Sequence, residues 1–217
     1  VALYSDPLSA HNHFAAQLKN NPDDAYAHHG LALLFQREKK YPQAAAEFKK
    51  TLALDREYPA VLADLGAMYF EMKDLGAARQ VLERAKSLEP RSVRTLFLLG
   101  RTYEEMGDLK QAKTMYERTL VQDPNHEEAL YKMGLIYERE GDLARAHLHT
   151  GLYFLARGDE KNALYHFRKA KENYGSASLE VKERVDAKIK ELSLEKGHKP
   201  PAGPRFNLHS SGLPGAE

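Results

Sequence analysis

Ten histidines are the side chains of this sequence best suited to chemistry. Their spacing argues against a metal site built on one helix. His11/His13, His28/His29 and His147/His149 stand one or two residues apart, and no pair is three or four apart, so neighbours on a helix point in different directions. The run His126-Glu127-Glu128-Ala129-Leu130 opens like the zinc-peptidase pattern H-E-x-x-H, but Leu130 stands where the second ligand is required. There is no Cys, which removes thiol catalysis, disulfides and thiolate metal sites. Neither a G-x-S-x-G nucleophile turn nor a phosphate-cradling G-x-x-x-x-G-K-[ST] loop occurs. The expectation is no catalytic residue, no metal and no cofactor, with the histidines on helix surfaces or in packing.

Charge and hydropathy narrow the partners. The 217 residues carry 32 Lys+Arg against 31 Asp+Glu, a net charge of +1, so no overall field attracts nucleic acid or an anionic membrane. Basic residues between 168 and 190 are interleaved with Glu172, Glu180, Glu183 and Asp186, as on a solvated helix face. The longest apolar run, Leu31 to Phe35, is far below the roughly 18 residues of a membrane span. The composition, 42% hydrophobic and 29% charged, is globular. The opening Val1-Ala2-Leu3-Tyr4-Ser5-Asp6-Pro7 has neither an initiator Met nor a signal-peptide pattern, and is read as the start of an excised or processed fragment.

What positions these side chains is a repeat. Leu65-Gly66, Leu99-Gly100 and Met133-Gly134 are spaced by 34 residues, and Tyr69, Tyr103 and Tyr137 follow the glycines by three. Ala44, Ala78 and Ala112 recur at position 20 of the unit, Phe48, Leu82 and Tyr116 at position 24, and Pro90 and Pro124 at position 32. Within a unit the apolar residues fall at helical spacing on either side of a short break. Small residues at positions 8 and 20 let the two helices approach, and large ones fill the space beside them. Gly107-Asp108, Gly141-Asp142 and Gly158-Asp159 read as a left-handed helix end followed by an N-cap. Pro7, Pro42 and Pro59 suit a first helical turn.

This pattern resembles the tetratricopeptide repeat (TPR). The resemblance implies an all-α, right-handed solenoid of antiparallel helix pairs, about eleven helices in all. Repeats are expected at 25–58, 59–92, 93–126, 127–157 and 144–177, after a half repeat at 5–22 and before a capping helix at 178–195. The first repeat departs from the pattern, with Ala32 at position 8, Phe35 at 11 and Arg56 at 32. The phase breaks near residue 143, because Gly151 and Phe154 restart the pattern 17 residues early. One helix must then serve two repeats, either as a tolerated half-repeat insertion or as a kinked boundary that shapes a binding surface. Residues 196–217 are expected to be a tail dispensable for folding, the stretch from 197 carrying four Gly and four Pro.

In TPR proteins ligand-facing side chains commonly occupy positions 2, 5, 6, 9, 12 and 13 of the first helix. Carried over, these positions supply a candidate partner-binding set: Tyr26, His29, Leu33, Phe70, Arg94, Phe97, Arg101, Tyr131, Lys132 and Leu135, centred on Phe97, Arg101 and Tyr131. The alternative for Phe97 and Tyr131 is packing between repeats. The TPR clamp for acidic chaperone tails needs cationic and amide side chains where this sequence has His29, Leu33, Asp64, Arg94 and Leu98, and only Arg94 suits it.

The stretch Ala146 to Phe154, then Gly158-Asp159 and Ala163 to Ala170, is also similar to the TPR region after the catalytic domain of bacterial envelope zinc metallopeptidases. That resemblance implies a substrate-handling or regulatory domain in the periplasm or cell envelope, with the zinc ligands upstream of this sequence. Without it, a cytoplasmic location is expected. The main expectation is a non-catalytic scaffold that binds a protein or peptide segment in a concave groove, with no nucleic acid and no membrane span. A self-assembling structural solenoid is the third reading. An H-E-x-x-H upstream, or concentration-dependent mass, separates the three.

Overall fold

The computed structural model describes residues 6–55, 58–175 and 177–198. Eleven α-helices make up the ordered elements among them: α1 Pro7–Asn20, α2 Ala25–Arg37, α3 Tyr41–Leu54, α4 Pro59–Glu71, α5 Leu75–Leu88, α6 Val93–Glu105, α7 Leu109–Gln122, α8 Glu127–Arg139, α9 Leu143–Ala156, α10 Glu160–Glu172 and α11 Leu179–His198. No described helix is long and apolar enough to cross a membrane.

Each helix pair turns by one device. Lys39, Lys73, Gly107, Gly141 and Gly158 all adopt left-handed backbone, with φ of 58, 63, 81, 76 and 73°. The amide that follows donates to the carbonyl of the aromatic residue five positions back, from Lys40 to Phe35, Asp74 to Tyr69, Asp108 to Tyr103, Asp142 to Tyr137 and Asp159 to Phe154, at 2.8–3.0 Å. These are Schellman-type helix ends. The carboxylates of Asp74, Asp108, Asp142 and Asp159 then accept from the third amide of the next helix. Sequence pattern flags the glycines but not Lys39 and Lys73, where packing of the two helices imposes the same turn on a residue with a Cβ.

The glycines inside helices serve a different purpose. A Cβ on Gly66 would lie 2.5 Å from Leu82, on Gly100 2.5 Å from Tyr116, and on Gly151 2.5 Å from Phe167. The large position-24 side chain thus occupies the space a Cβ would take. In the first repeat Ala32 stands at position 8 and shares a cluster with Phe48, while Gly30 faces Phe14 of α1, where a Cβ would meet the ring at 2.3 Å. Tyr116, Phe167 and Leu82 are fully buried as a result. Buried Thr102, Thr119 and Thr51 satisfy their hydroxyls by donating to the carbonyl four residues back.

α9 belongs to two pairs. It enters through the Gly141–Asp142 turn like a second helix and leaves through the Gly158–Asp159 turn like a first helix. Its Thr150 faces Gly134 on α8 while its Gly151 faces Phe167 on α10, and it packs on both neighbours about equally. α11 closes the stack mainly against α10 through Val181, Val185 and Leu192. It runs to His198, into the stretch read as tail; residues 199–217 lie outside the described residues. Lys182 is half-buried, with its ammonium 5.9 Å from the centre of the Tyr174 ring, while Lys190 is exposed.

Two substitutions separate packing glycines from incidental ones. Gly151→Ala is expected to cost about 1–3 kcal/mol, because the Phe167 ring must shift in a filled core. Gly76→Ala, whose nearest neighbour would be the Asp74 carboxylate at 3.8 Å, should stabilise α5 by up to about 1 kcal/mol. Urea unfolding of both variants checks the order; a neutral Gly151→Ala would mean that the α9–α10 contact is loose.

Candidate functional site

The first helices of successive pairs touch one another, α2 against α4 and α4 against α6. They therefore form the inner layer of a curved stack and line its groove. Several charges on this layer are paired across helices. Asp64, on α4, is 5% exposed; it accepts from His29 Nε2 of α2 at 2.6 Å and is ion-paired with the Arg94 guanidinium of α6. Next along, Arg101 of α6 covers the Phe70 ring of α4 at 4.5 Å, and Lys73 lies 5.5 Å from the same ring and 2.9 Å from Glu105. Glu104 of α6 accepts from Lys132 of α8 at 3.0 Å and from the Tyr116 hydroxyl at 2.7 Å. Burial, then the neighbouring Glu104 carboxylate, pushes the Tyr116 phenol well above its ordinary range, so it stays a donor.

The structure distributes the candidate residues unevenly. Tyr26 is 60% and Tyr131 46% exposed. Tyr26 meets Phe14 edge-on, and Tyr131 lies 5.5 Å from Tyr153 on α9. Leu33 and Leu135 are half-buried. Phe70 is only 7% exposed beneath Arg101, so a partner reaches its ring only if that guanidinium moves. Phe97 is half-buried between His126 at 4.5 Å and Tyr116 at 5.8 Å. Phe97 thus faces the α7–α8 side and Tyr131 the α9 side, while Arg101 reaches back to α4. His126 has a structural task as well: its Nδ1 accepts from the Ala129 amide as the N-cap of α8, which leaves the ring proton on Nε2.

A cavity of about 600 Å³ opens at the α2–α4–α6 end of the groove, lined by Leu33, Gln36, Arg37, Lys39, Tyr41, Asp64, Glu71 and Arg94. The Gln36 side-chain oxygen is buried there without a hydrogen-bond donor. Asp64 is the organising residue that the candidate set omits. Its signal was a carboxylate in the middle of the apolar run Pro59 to Phe70 of α4, since a buried charge needs a partner.

A second cavity, of about 320 Å³, lies between α8, α9 and α11, lined by Tyr137, Arg145, His149, Glu180 and Arg184 among others. His149 donates from Nδ1 to the Arg145 carbonyl at 2.9 Å and lies against Tyr137, ring centres 5.1 Å apart. Burial pushes it down to about 4, and the positive fields of Arg184, Arg145 and Lys113 act in the same direction.

Models of the tetratricopeptide repeat match residues 5–59, 35–96, 69–136 and 128–177. Three solved structures show the likeness. Pseudomonas aeruginosa PilF is 25% identical, with a TM-score of 0.65 over 86% of this chain and 82% of its own. YrrB, described as a TPR protein with an unusual peptide-binding site, is 20% identical, with a TM-score of 0.56 over 81% of this chain and 97% of its own. The first TPR of Spaghetti (RPAP3), bound to the HSP90 peptide SRMEEVD, is 22% identical, with a TM-score of 0.52 over 54% of this chain and 93% of its own. No curated protein matches the sequence significantly.

Two measurements follow from these contacts. Asp64→Ala leaves the His29 and Arg94 donors without their shared acceptor and should cost about 1–3 kcal/mol. Arg94→Ala should cost less than about 1 kcal/mol, since that side chain is 56% exposed; equal losses would contradict a buried hub at Asp64. For His149 the folded state releases its proton more readily than the unfolded chain does. Between an ordinary 6.5 and about 4 the unfolded chain therefore binds more protons, and stability falls as pH falls through that window. Melting curves from pH 7 to 4 should show the decline, shallower in His149→Gln.

Proposed function

Since the chain belongs to the tetratricopeptide repeat family, we propose that it is a non-catalytic scaffold whose inner groove receives an extended or helical protein segment. One observation carries the reading: Asp64 with Arg94 and Glu104 with Lys132 pair across helices while Tyr26 and Tyr131 stay exposed and Leu33 and Leu135 stay partly open. Aromatic and aliphatic groups would supply the buried area, and exposed hydroxyls would fix orientation. Peptide binding in the structural neighbours YrrB and RPAP3 supports the mode. The chemistry differs from that of a groove for an acidic tail. Asp64 repels a carboxylate and already engages Arg94, so the segment is neutral or mixed in charge.

The cavity beside Leu33 and the Tyr131 surface lie toward opposite ends of the groove, which suits a segment crossing several repeats. The test is selection of binding segments from a peptide display library, followed by calorimetry with the selected peptide. Tyr131→Ala and Leu33→Ala, each shown folded by circular dichroism, should weaken binding at least tenfold, as central anchors do. Lys190→Ala, on α11, should bind like the parent chain. Full affinity in both folded groove variants would move the site elsewhere.

A further inference from the structure

Outside the groove, α9 and α10 bring two histidines together that lie 19 residues apart in sequence. The Nδ1 atoms of His147 and His166 are 3.2 Å apart and their ring centres 5.3 Å apart. We propose that His147 and His166 form a two-histidine chelating site for a divalent transition-metal ion, Zn²⁺ or Ni²⁺, bridging α9 and α10.

The argument is geometric. Two imidazole nitrogens bound to zinc at about 2.0–2.1 Å with a tetrahedral angle stand about 3.3–3.4 Å apart. The observed spacing lies within about 0.2 Å of that value. Without an ion the same spacing is a hydrogen bond, in which one ring donates from Nδ1 and the other accepts. To bind, the donor ring exchanges its Nδ1 proton for one on Nε2, so both Nδ1 lone pairs become available and the neutral pair loses no net proton. Both rings are held below the ordinary histidine range, by burial first, and therefore present neutral imidazoles near pH 7.

The surroundings support the pair. Phe154 stacks on His166 with an interplanar angle of 17°, and Tyr165 meets it edge-on, which restricts rotation of that ring. Glu138 and Glu172 favour positive charge at His147, against Lys169, which is ion-paired to Glu172 at 2.7 Å. Among the described residues no third His, Asp or Glu joins the pair, so water completes the shell and the ion exchanges freely. Imidazole ligands suit Zn²⁺ and Ni²⁺ over Mg²⁺ or Ca²⁺. The ion would tie the helix shared by two repeats to the one after it.

The whole chain is titrated with ZnCl2 and with NiCl2 alone, by calorimetry and by thermal melting with and without EDTA. The expected result is a site whose affinity falls at least tenfold in His147→Ala and in His166→Asn, with His13→Ala, on the exposed face of α1, unchanged. The ion should raise the melting temperature by several degrees in the parent chain and not in either variant. Ni²⁺ broadening of histidine ring NMR signals, recorded on the unsubstituted chain, removes dependence on variant folding: His147 and His166 should broaden first. Broadening confined to other histidines, undiminished affinity in His166→Asn, or no binding by either ion up to about 1 mM would each overturn the proposal.

Discussion

The structure rests on how closely two helices of a pair can approach. At Gly66, Gly100 and Gly151 a bulky side chain from the partner helix occupies the place of the missing Cβ. That fit buries Leu82, Tyr116 and Phe167 completely and sets the angle at which each pair leaves the previous one. Dispersion in such a contact is summed over many atoms at optimal distance, so a shift of half an ångström loses a sizeable part of it. The turns obey the same constraint. Lys39 and Lys73 accept left-handed backbone because the packed helices leave the chain only one way to reverse.

Curvature follows from that packing, and the groove follows from curvature. Because α2, α4 and α6 touch along the inner layer, a charge on one reaches the next, and His29, Asp64 and Arg94 form a chain across three helices. A buried carboxylate that accepts from an imidazole and pairs with a guanidinium is better solvated than an isolated one, yet it gives little net stability. Its clearer consequence is that Arg94 is held to the buried carboxylate within the layer. Phe97 and Phe70 illustrate how tertiary context divides similar residues. Both stand at inner-helix positions, but one is sandwiched by His126 and the other capped by Arg101.

The shared helix α9 shows how a solenoid absorbs a break in period. A helix pair needs a small residue on one side and a bulky one on the other, and α9 carries Ala146 and Thr150 toward α8 and Gly151 toward α10. Since each helix touches only near neighbours, the stack continues without a repeat of full length. The break also creates surroundings found nowhere else among the described residues: the cavity that holds His149 and the paired rings of His147 and His166.

Sequence alone determined the helix pairs, because the 34-residue recurrence of Gly, Tyr and Ala encodes local features: helical spacing, turn glycines and Asp caps. The early restart at Gly151 is likewise a signal of spacing. The groove positions were readable as places on a helix but not as exposures. Whether Phe70 is open depends on Arg101, 31 residues later, and whether Arg94 is free depends on Asp64, 30 residues earlier. His126 resembled the opening of a metal motif and turned out to cap a helix, because its backbone rather than its neighbours' identity sets the ring's partner. The pairing of His147 with His166 was likewise invisible, since spacing within a helix says nothing about rings on two helices. Such contacts are decided by the angle between packed helices, and only the tertiary structure has that angle.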